Sequence, residues 1–258
     1  MNQLEVLRES LGQCDEIILD ALLMRNRIVE DIMAYKEAND IPILQPEQEA
    51  KQKEWLERRM ADRRHKVEVE DVFGSITQNS KRIQARKLFN YNIVLIGFMG
   101  AGKSTVSREL KRLSGREEVD TDQWIEEHEK RSISDIFATE GEAYFRQCET
   151  DMLDELGTME PSIISCGGGM ALREINRRKL KAMGEVVLLQ ASPETILERV
   201  KDSTNRPILN GNMNIAFISD LMGKRLPAYE KAATVKISTD GKTVTEIAKE
   251  ILEKTHQI

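Results

Sequence analysis

Gly97-Phe98-Met99-Gly100-Ala101-Gly102-Lys103-Ser104 decides the reading of the larger part of this chain. An apolar run, Ile93-Val94-Leu95-Ile96, precedes it, and a helical pattern with Val106, Leu110 and Leu113 follows. Strand, glycine-rich turn and helix form the context that a phosphate-binding loop requires. The glycines let backbone N–H groups turn inward around a phosphate, and the next helix presents its positive end. Lys103 brings a point charge to the β/γ-phosphates, and Ser104 brings a hydroxyl for Mg²⁺. Gly97, Gly100, Ala101, Gly102, Lys103, Ser104 and Thr105 are thus the expected nucleotide-binding residues, with ATP as the ligand and Mg²⁺ as its ion.

Beyond the loop, apolar runs alternate with helical patterns. Ser162-Ile163-Ile164-Ser165, Glu185-Val186-Val187-Leu188-Leu189 and Val235-Lys236-Ile237-Ser238 read as short strands, and another closes at Asp120-Thr121-Asp122. With the strand before the loop this predicts an α/β domain with a parallel five-stranded sheet and helices on both faces. Ligands in such a domain gather at the carboxyl ends of the strands. Asp120, Asp122 and Gly167-Gly168-Gly169 all fall at such ends, and a triple glycine lets backbone approach a ligand closely. The strand before the triple glycine ends in Ser165, where a motor ATPase or GTPase would carry an acidic residue. No Asn-Lys-x-Asp guanine-reading motif occurs either, which leaves a small-molecule kinase. The polar, turn-rich stretch from Asp202 to Asn212 lies between helical patterns and reads as a lid, with Arg206 swinging over the phosphates.

The first ninety residues are different. Leu4, Leu7, Leu11, Cys14, Ile18, Ala21, Leu22, Val29, Ile32 and Met33 recur at three and four, which predicts one helix of about 35 residues, ~50 Å long. Pro42 and Pro46 end it. A second helix is expected from about Glu47 to Arg63, and a third from about Val69 to Leu88. Three helices cannot cover one so long, so dimerisation is expected. Arg25, Val29, Ile32 and Lys36 share one face of the long helix. Arg8 lies ~25 Å from Arg25 along the axis and could reach that pocket only from a partner chain. Ser80 and Gln84 are i, i+4 neighbours on the third helix, in line with Phe73 and Ile76. Buried cations imply a dianionic ligand.

The whole chain has 258 residues, a net charge of −6, 40% hydrophobic, 32% charged and 5% aromatic residues. Both halves are acidic, so nucleic acid is not an expected partner. The run Arg58-Arg59…Arg63-Arg64-His65-Lys66 is expected to be the solvated end of the second helix. Cys14, Cys148 and Cys166 are odd in number and far apart, as in a reducing compartment. No signal pattern opens the chain and no apolar run approaches ~18 residues, so a cytoplasmic protein without a membrane segment is expected.

Two resemblances sharpen these readings. From about Asn92 onward the chain resembles the shikimate kinases, through Gly97–Ser104, Asp120-Thr121-Asp122, Ser134-Asp135-Ile136-Phe137, Phe145-Arg146…Glu149, Gly167-Gly168-Gly169, Arg206-Pro207 and Arg225-Leu226-Pro227-Ala228-Tyr229. The resemblance implies that Ser104 and, through water, Asp120 position Mg²⁺. It implies that Asp122, Arg146, Gly168, Gly169 and Arg225 bind shikimate, that Glu149 orients Arg146, and that Asp122 is the general base. It also implies that Ser238-Thr239-Asp240-Gly241-Lys242 borders the adenine. Arg146 and Arg225 suit a carboxylate because guanidinium groups pair with it in planar, bidentate fashion.

Residues 1 to about 88 resemble the all-helical chorismate mutases of the intertwined-dimer type, through Arg8, Arg25, Lys36, Glu49, Ser80 and Gln84. That resemblance implies that Arg25 and a partner-chain Arg8 grip the two carboxylates of chorismate. Lys36 and Gln84 would donate to the ether oxygen, Glu49 would accept from the ring hydroxyl, and Ser80 would support a carboxylate. A pericyclic rearrangement needs only a held conformer and donors aimed at developing charge. The chain departs from that family at Gln45 and Gln48, where members carry Asp and Arg. Losing that Arg removes one positive contact.

The expectation is therefore a bifunctional enzyme of aromatic amino-acid biosynthesis, with a mutase domain over 1–89 and a kinase domain over 90–258. Two alternatives stay open: a kinase joined to a non-catalytic, dimerising or ligand-sensing helical module, and a kinase for a related polyol acid.

Overall fold

Asn2 and Glu5 start the first helix. The Asn2 side chain accepts from the Glu5 N–H at 2.9 Å, and the Glu5 carboxylate accepts from the Asn2 N–H at 2.7 Å, a reciprocal cap. From there α1 (Gln3–Ala38) runs for 36 residues, about 54 Å at the helical rise. The computed structural model describes residues 2–39, 41, 46–88, 90–201 and 214–255. These divide into two compact units, Met1–Lys87 and Leu88–Ile258.

In the first unit α2 (Pro46–Met60) opens on a proline, whose missing N–H would have had no helical partner at that position. Leu56 and Met60 of α2 are buried, and its Trp55 ring lies 6.2 Å from Phe73 of α3 (Lys66–Leu88). The buried stripe of α1 is Val29, Met33 and Lys36, with Arg25 half-buried beside it. Ile32, expected on that face, is 45% exposed. Met33 takes the inward place, 1% exposed, although three-four and four-three spacing from Val29 to Lys36 admit either residue. The amino-terminal half of α1 is uncovered in the single chain: Leu4, Leu7, Leu11 and Ile18 are all more than half exposed.

The basic run is also corrected. It does not end one helix, because α2 stops at Met60 and α3 begins at Lys66. Arg58 and Arg59 close α2, Arg63 to His65 form the turn, and His65 takes the left-handed conformation that ends such turns (φ 58°). Arg59 stacks over Trp55, with its guanidinium carbon 5.6 Å from the ring centre.

In the second unit five strands form a wholly parallel sheet: β1 (Asn92–Gly97), β2 (Glu118–Asp120), β3 (Ile163–Ser165), β4 (Gly184–Gln190) and β5 (Val235–Ser238), in the spatial order β2-β3-β1-β4-β5. β1 lies at the centre and is buried throughout, as a near-continuous apolar run requires when both faces are covered. Parallel crossovers are right-handed. α4 (Lys103–Ser114) carries the chain toward β2. α7 (Gly141–Leu156), α8 (Glu174–Met183) and α10 (Ile215–Ala232) carry it the other way, so the two sets lie on opposite faces. α11 (Val244–Thr255) packs on α4, and α8 packs on α7 and α10. Two short helices, α5 (Thr121–Glu129) and α6 (Ile133–Thr139), fill the path from β2 to α7, and α9 (Pro193–Val200) follows β4. Among the described residues no helix is long and apolar enough to cross a membrane.

Candidate active sites

The loop between β1 and α4 is bent by three glycines in conformations with positive φ: Gly97 (145°), Gly100 (79°) and Gly102 (97°). A side chain at Gly97 would place Cβ 2.5 Å from the Leu189 carbonyl oxygen, and one at Gly100 would meet Val200 at 2.8 Å. Gly102 is the N-cap of α4 and offers no capping side chain, so the first N–H groups of that helix face the loop. Lys103 folds back over the turn, donating to the Gly97 carbonyl at 3.0 Å and the Phe98 carbonyl at 3.1 Å.

Asp120 joins this loop to the next strand end. One carboxylate oxygen caps α5, accepting from the Asp122 and Gln123 N–H groups, and the other accepts from the Ser104 hydroxyl at 3.2 Å. Ser165, in register with Asp120 across β2 and β3, sits 3.5 Å from the same hydroxyl. The oxygen cluster of Ser104, Asp120 and Ser165 fits Mg²⁺, which keeps waters and phosphates and needs only one or two protein carboxylates. No group of three or more His, Cys, Asp or Glu side chains suited to a metal occurs among the described residues.

The third strand end supplies the strap Gly167-Gly168-Gly169. The Gly167 N–H donates to the Thr121 hydroxyl at 2.8 Å, and Tyr229 donates to the Gly168 carbonyl at 2.6 Å. Asp122 and Arg146 press against this backbone: a Cβ at Gly167 would lie 2.4 Å from Asp122 Oδ1, and one at Gly169 2.2 Å from Arg146 Nη1. A Cβ at either position would push the carboxylate or the guanidinium out of its present place. Arg225 faces the strap from α10, its guanidinium carbon 5.7 Å from the Phe98 ring centre.

The charges here are under strain. Burial raises the Asp122 pKa, Asp120 adds to the rise, and Lys103 and Arg146 oppose it. Glu149, 1% exposed, accepts from Arg146 Nη1 at 2.9 Å, yet burial pushes its pKa up to about 7. Arg146 also donates from Nε and Nη2 to Glu142. Burial pulls the Arg146 pKa down, but the two carboxylates together hold it above its ordinary value.

Sequence reading overlooked several of these groups. Arg199 donates to the Gly100 carbonyl at 3.3 Å and the Thr239 hydroxyl at 3.2 Å, linking the phosphate loop to the segment after β5. Arg199, in α9, lies outside every motif read from the sequence, whereas Thr121 and Ser165 stand in strand-end stretches that the sequence marks without assigning those two side chains a role. Arg206 lies outside the described residues.

In the first unit Arg25 donates to the Ser80 hydroxyl, which donates to the Ile76 carbonyl at 3.0 Å. Ser80 and Lys36 are buried and Gln84 half-buried. Burial lowers the pKa of both Arg25 and Lys36. Arg8 is exposed on the uncovered half of α1. Gln48 is exposed, whereas the Glu49 side chain and Gln45 lie outside the described residues.

Comparison with known proteins matches both units. The family profile for shikimate kinase matches residues 99–256, and that for chorismate mutase type II matches residues 7–85. A shikimate kinase of Dehalococcoides mccartyi is 42% identical over 166 residues, covering 64% of this chain and 94% of the relative. One from Thermodesulfovibrio yellowstonii is 40% identical over 167 residues, covering 65% and 96%. The structure of a shikimate kinase from Acinetobacter baumannii in complex with shikimate is 37% identical, with a TM-score of 0.62, covering 66% of this chain and 96% of that one. The chain belongs to the shikimate kinase family and carries a chorismate mutase type II domain ahead of its kinase domain.

Proposed function

We propose that the chain is a bifunctional enzyme of aromatic amino-acid biosynthesis: residues 1–89 rearrange chorismate to prephenate, and residues 90–258 transfer the ATP γ-phosphate to the 3-hydroxyl of shikimate. The observation that carries the kinase half is the convergence of Asp122 and Arg146 on the glycine strap, with Asp120 and Ser104 beside it.

On this reading Arg146 and Arg225 hold the substrate carboxylate, and Glu149 keeps Arg146 turned toward the strap. Asp122 accepts the proton of the attacking hydroxyl as its oxygen bonds the γ-phosphorus and ADP leaves. Its raised pKa suits a base that must take and then release that proton. Lys103 and the N–H groups at the start of α4 cradle the phosphates, and Arg206 covers them, excluding water. Ser104 and, through water, Asp120 would hold Mg²⁺, which would supply positive charge to the phosphates.

In the mutase half Arg25 and Arg8 of the partner subunit hold the two carboxylates of chorismate. Lys36 and Gln84 donate to the ether oxygen as its C–O bond breaks and the new C–C bond forms. Glu49 accepts from the ring hydroxyl, and Ser80 supports both Arg25 and a carboxylate. The exposed apolar residues of α1 support a homodimer. On the same reading the partners are small molecules rather than nucleic acid or membrane, and the proposed location is the cytoplasm.

Two assays on the full chain test the proposal. ADP release from ATP should depend on shikimate, and chorismate absorbance should fall without ATP or metal. Kinase turnover with no loss of chorismate would favour the second reading, a dimerising or ligand-sensing helical domain, which Gln48 in place of Arg supports.

A further inference from the structure

The strap after β3 runs straight into the turn Met170–Leu172, where the Met170 and Leu172 N–H groups donate to the Gly167 and Gly169 carbonyls at 3.1 and 3.0 Å, and side chains take the remaining carbonyls. Tyr229 donates to Gly168, the Asn176 amide donates to Met170 at 3.1 Å, and Arg177 Nη1 donates to Ala171 at 3.0 Å and Leu172 at 2.7 Å. Of these three holders, Asn176 also reaches the helix that carries Arg146. Its Oδ1 accepts from the Thr150 hydroxyl on α7 at 2.8 Å. Arg173 closes the circuit, with Nη1 donating both to Thr150 Oγ1 at 2.8 Å and to the Arg146 backbone carbonyl at 2.7 Å.

The valences fix the direction of each bond. Met170 O can only accept, so the Asn176 NH₂ faces it and Oδ1 faces Thr150. Thr150 has one hydroxyl hydrogen. Asn176 Oδ1 can only accept and lies 2.8 Å away, nearer than the Arg146 carbonyl at 3.0 Å, so the hydrogen goes to Asn176. Asn176 is fully buried and Thr150 is 3% exposed, so water cannot replace either bond. The circuit spans the gap where the Arg146 guanidinium lies against the Gly169 backbone.

We infer that Thr150, Asn176 and Arg173 are positioning residues that set the spacing between Arg146 and the Gly168–Gly169 strap, the two sides of the carboxylate-binding cleft. They touch no reacting atom. They act by fixing how far apart the two walls stand, and a displacement of about 1 Å there is worth up to ~100-fold in a reaction that depends on alignment. The inference rests on the kinase reading above.

The test is steady-state kinetics of the full chain with shikimate and ATP varied separately. Thr150→Val keeps the volume and removes the hydroxyl. It should raise KM for shikimate ~10-fold while KM for ATP stays within about twofold, and Thr150→Ser should restore it. Arg173→Met, which keeps the long apolar stem and removes both donors, should shift KM for shikimate in the same direction and serves if Thr150→Val does not fold. Equal shifts in both KM values, or a lower melting temperature with unchanged KM, would mean the circuit only stabilises the fold and would overturn the inference. A parent chain that turns over no shikimate removes the kinase reading and this inference together, whereas normal parent turnover with unaffected variants removes this inference alone.

Discussion

Arg146 Nη1 lies 2.9 Å from a Glu149 carboxylate oxygen, and the ion pair is so deeply placed that the acid still holds its proton up to about pH 7. Desolvation of the carboxylate outweighs the attraction of the guanidinium. The sign follows directly. Below about pH 4.5 the group is protonated in both folded and unfolded chains, and between about 4.5 and 7 only the folded chain keeps the proton.

Stability from Glu149 is therefore complete below its unfolded pKa and is lost as pH rises through about 7. Glu149→Gln keeps the shape and cannot ionise. Its stability relative to the parent should rise between pH 4.5 and 8, by roughly 3 kcal/mol at most. Denaturant unfolding at several pH values measures this. A difference that stays constant across that window would show an ordinary carboxylate. An anion arriving at Arg146 should raise the Glu149 pKa further, so shikimate should bind with partial proton uptake near neutrality, read by calorimetry in buffers of different ionisation enthalpy.

Gly97→Ala should be severe. The residue has φ 145° and a Cβ there would sit 2.5 Å from the Leu189 carbonyl, inside the β1–β4 ladder. A loss of about 2–4 kcal/mol is expected, with weaker ATP binding. Gly241→Ala is the control: φ is 70° but the space is open, so only about 1 kcal/mol should go. Thermal unfolding compares the two, and equal losses would remove the steric argument.

A mutase site shared between two chains, as proposed above, makes a quantitative prediction. Arg8→Ala and Arg25→Ala chains should each lose chorismate turnover alone. Unfolded together and refolded, they should recover about a quarter of parental activity, because half the dimers are mixed and each mixed dimer has one intact site. No recovery in a mixture proven to contain mixed dimers would mean that both arginines serve the same chain.

Arg206→Ala should lower kcat of the kinase far more than it weakens shikimate binding, since a group that covers the phosphates acts on transferred charge. Unchanged turnover would refute the lid assignment.

Much of this was legible because the relevant signals are local. The bend at Gly97, Gly100 and Gly102 is written in consecutive residues, and so is the parallel rhythm of short apolar strands. Facing within α1 was less so: Ile32 and Met33 are both apolar, and pattern alone does not say which one the seam selects. The Ser104–Asp120–Ser165 cluster needs strand register, which no single stretch encodes. Thr150 and Asn176 are neutral, common residues on separate helices, and only their burial together gives them meaning.

The uncovered start of α1 also governs what a biochemist would see at the bench. Leu4, Leu7, Leu11 and Ile18 are exposed in the single chain, and in the proposed homodimer a second copy shelters them. Of the two catalytic capacities proposed for this chain, then, one should thin out on dilution while the other, whose groups all come from one folded unit, should hold its specific rate.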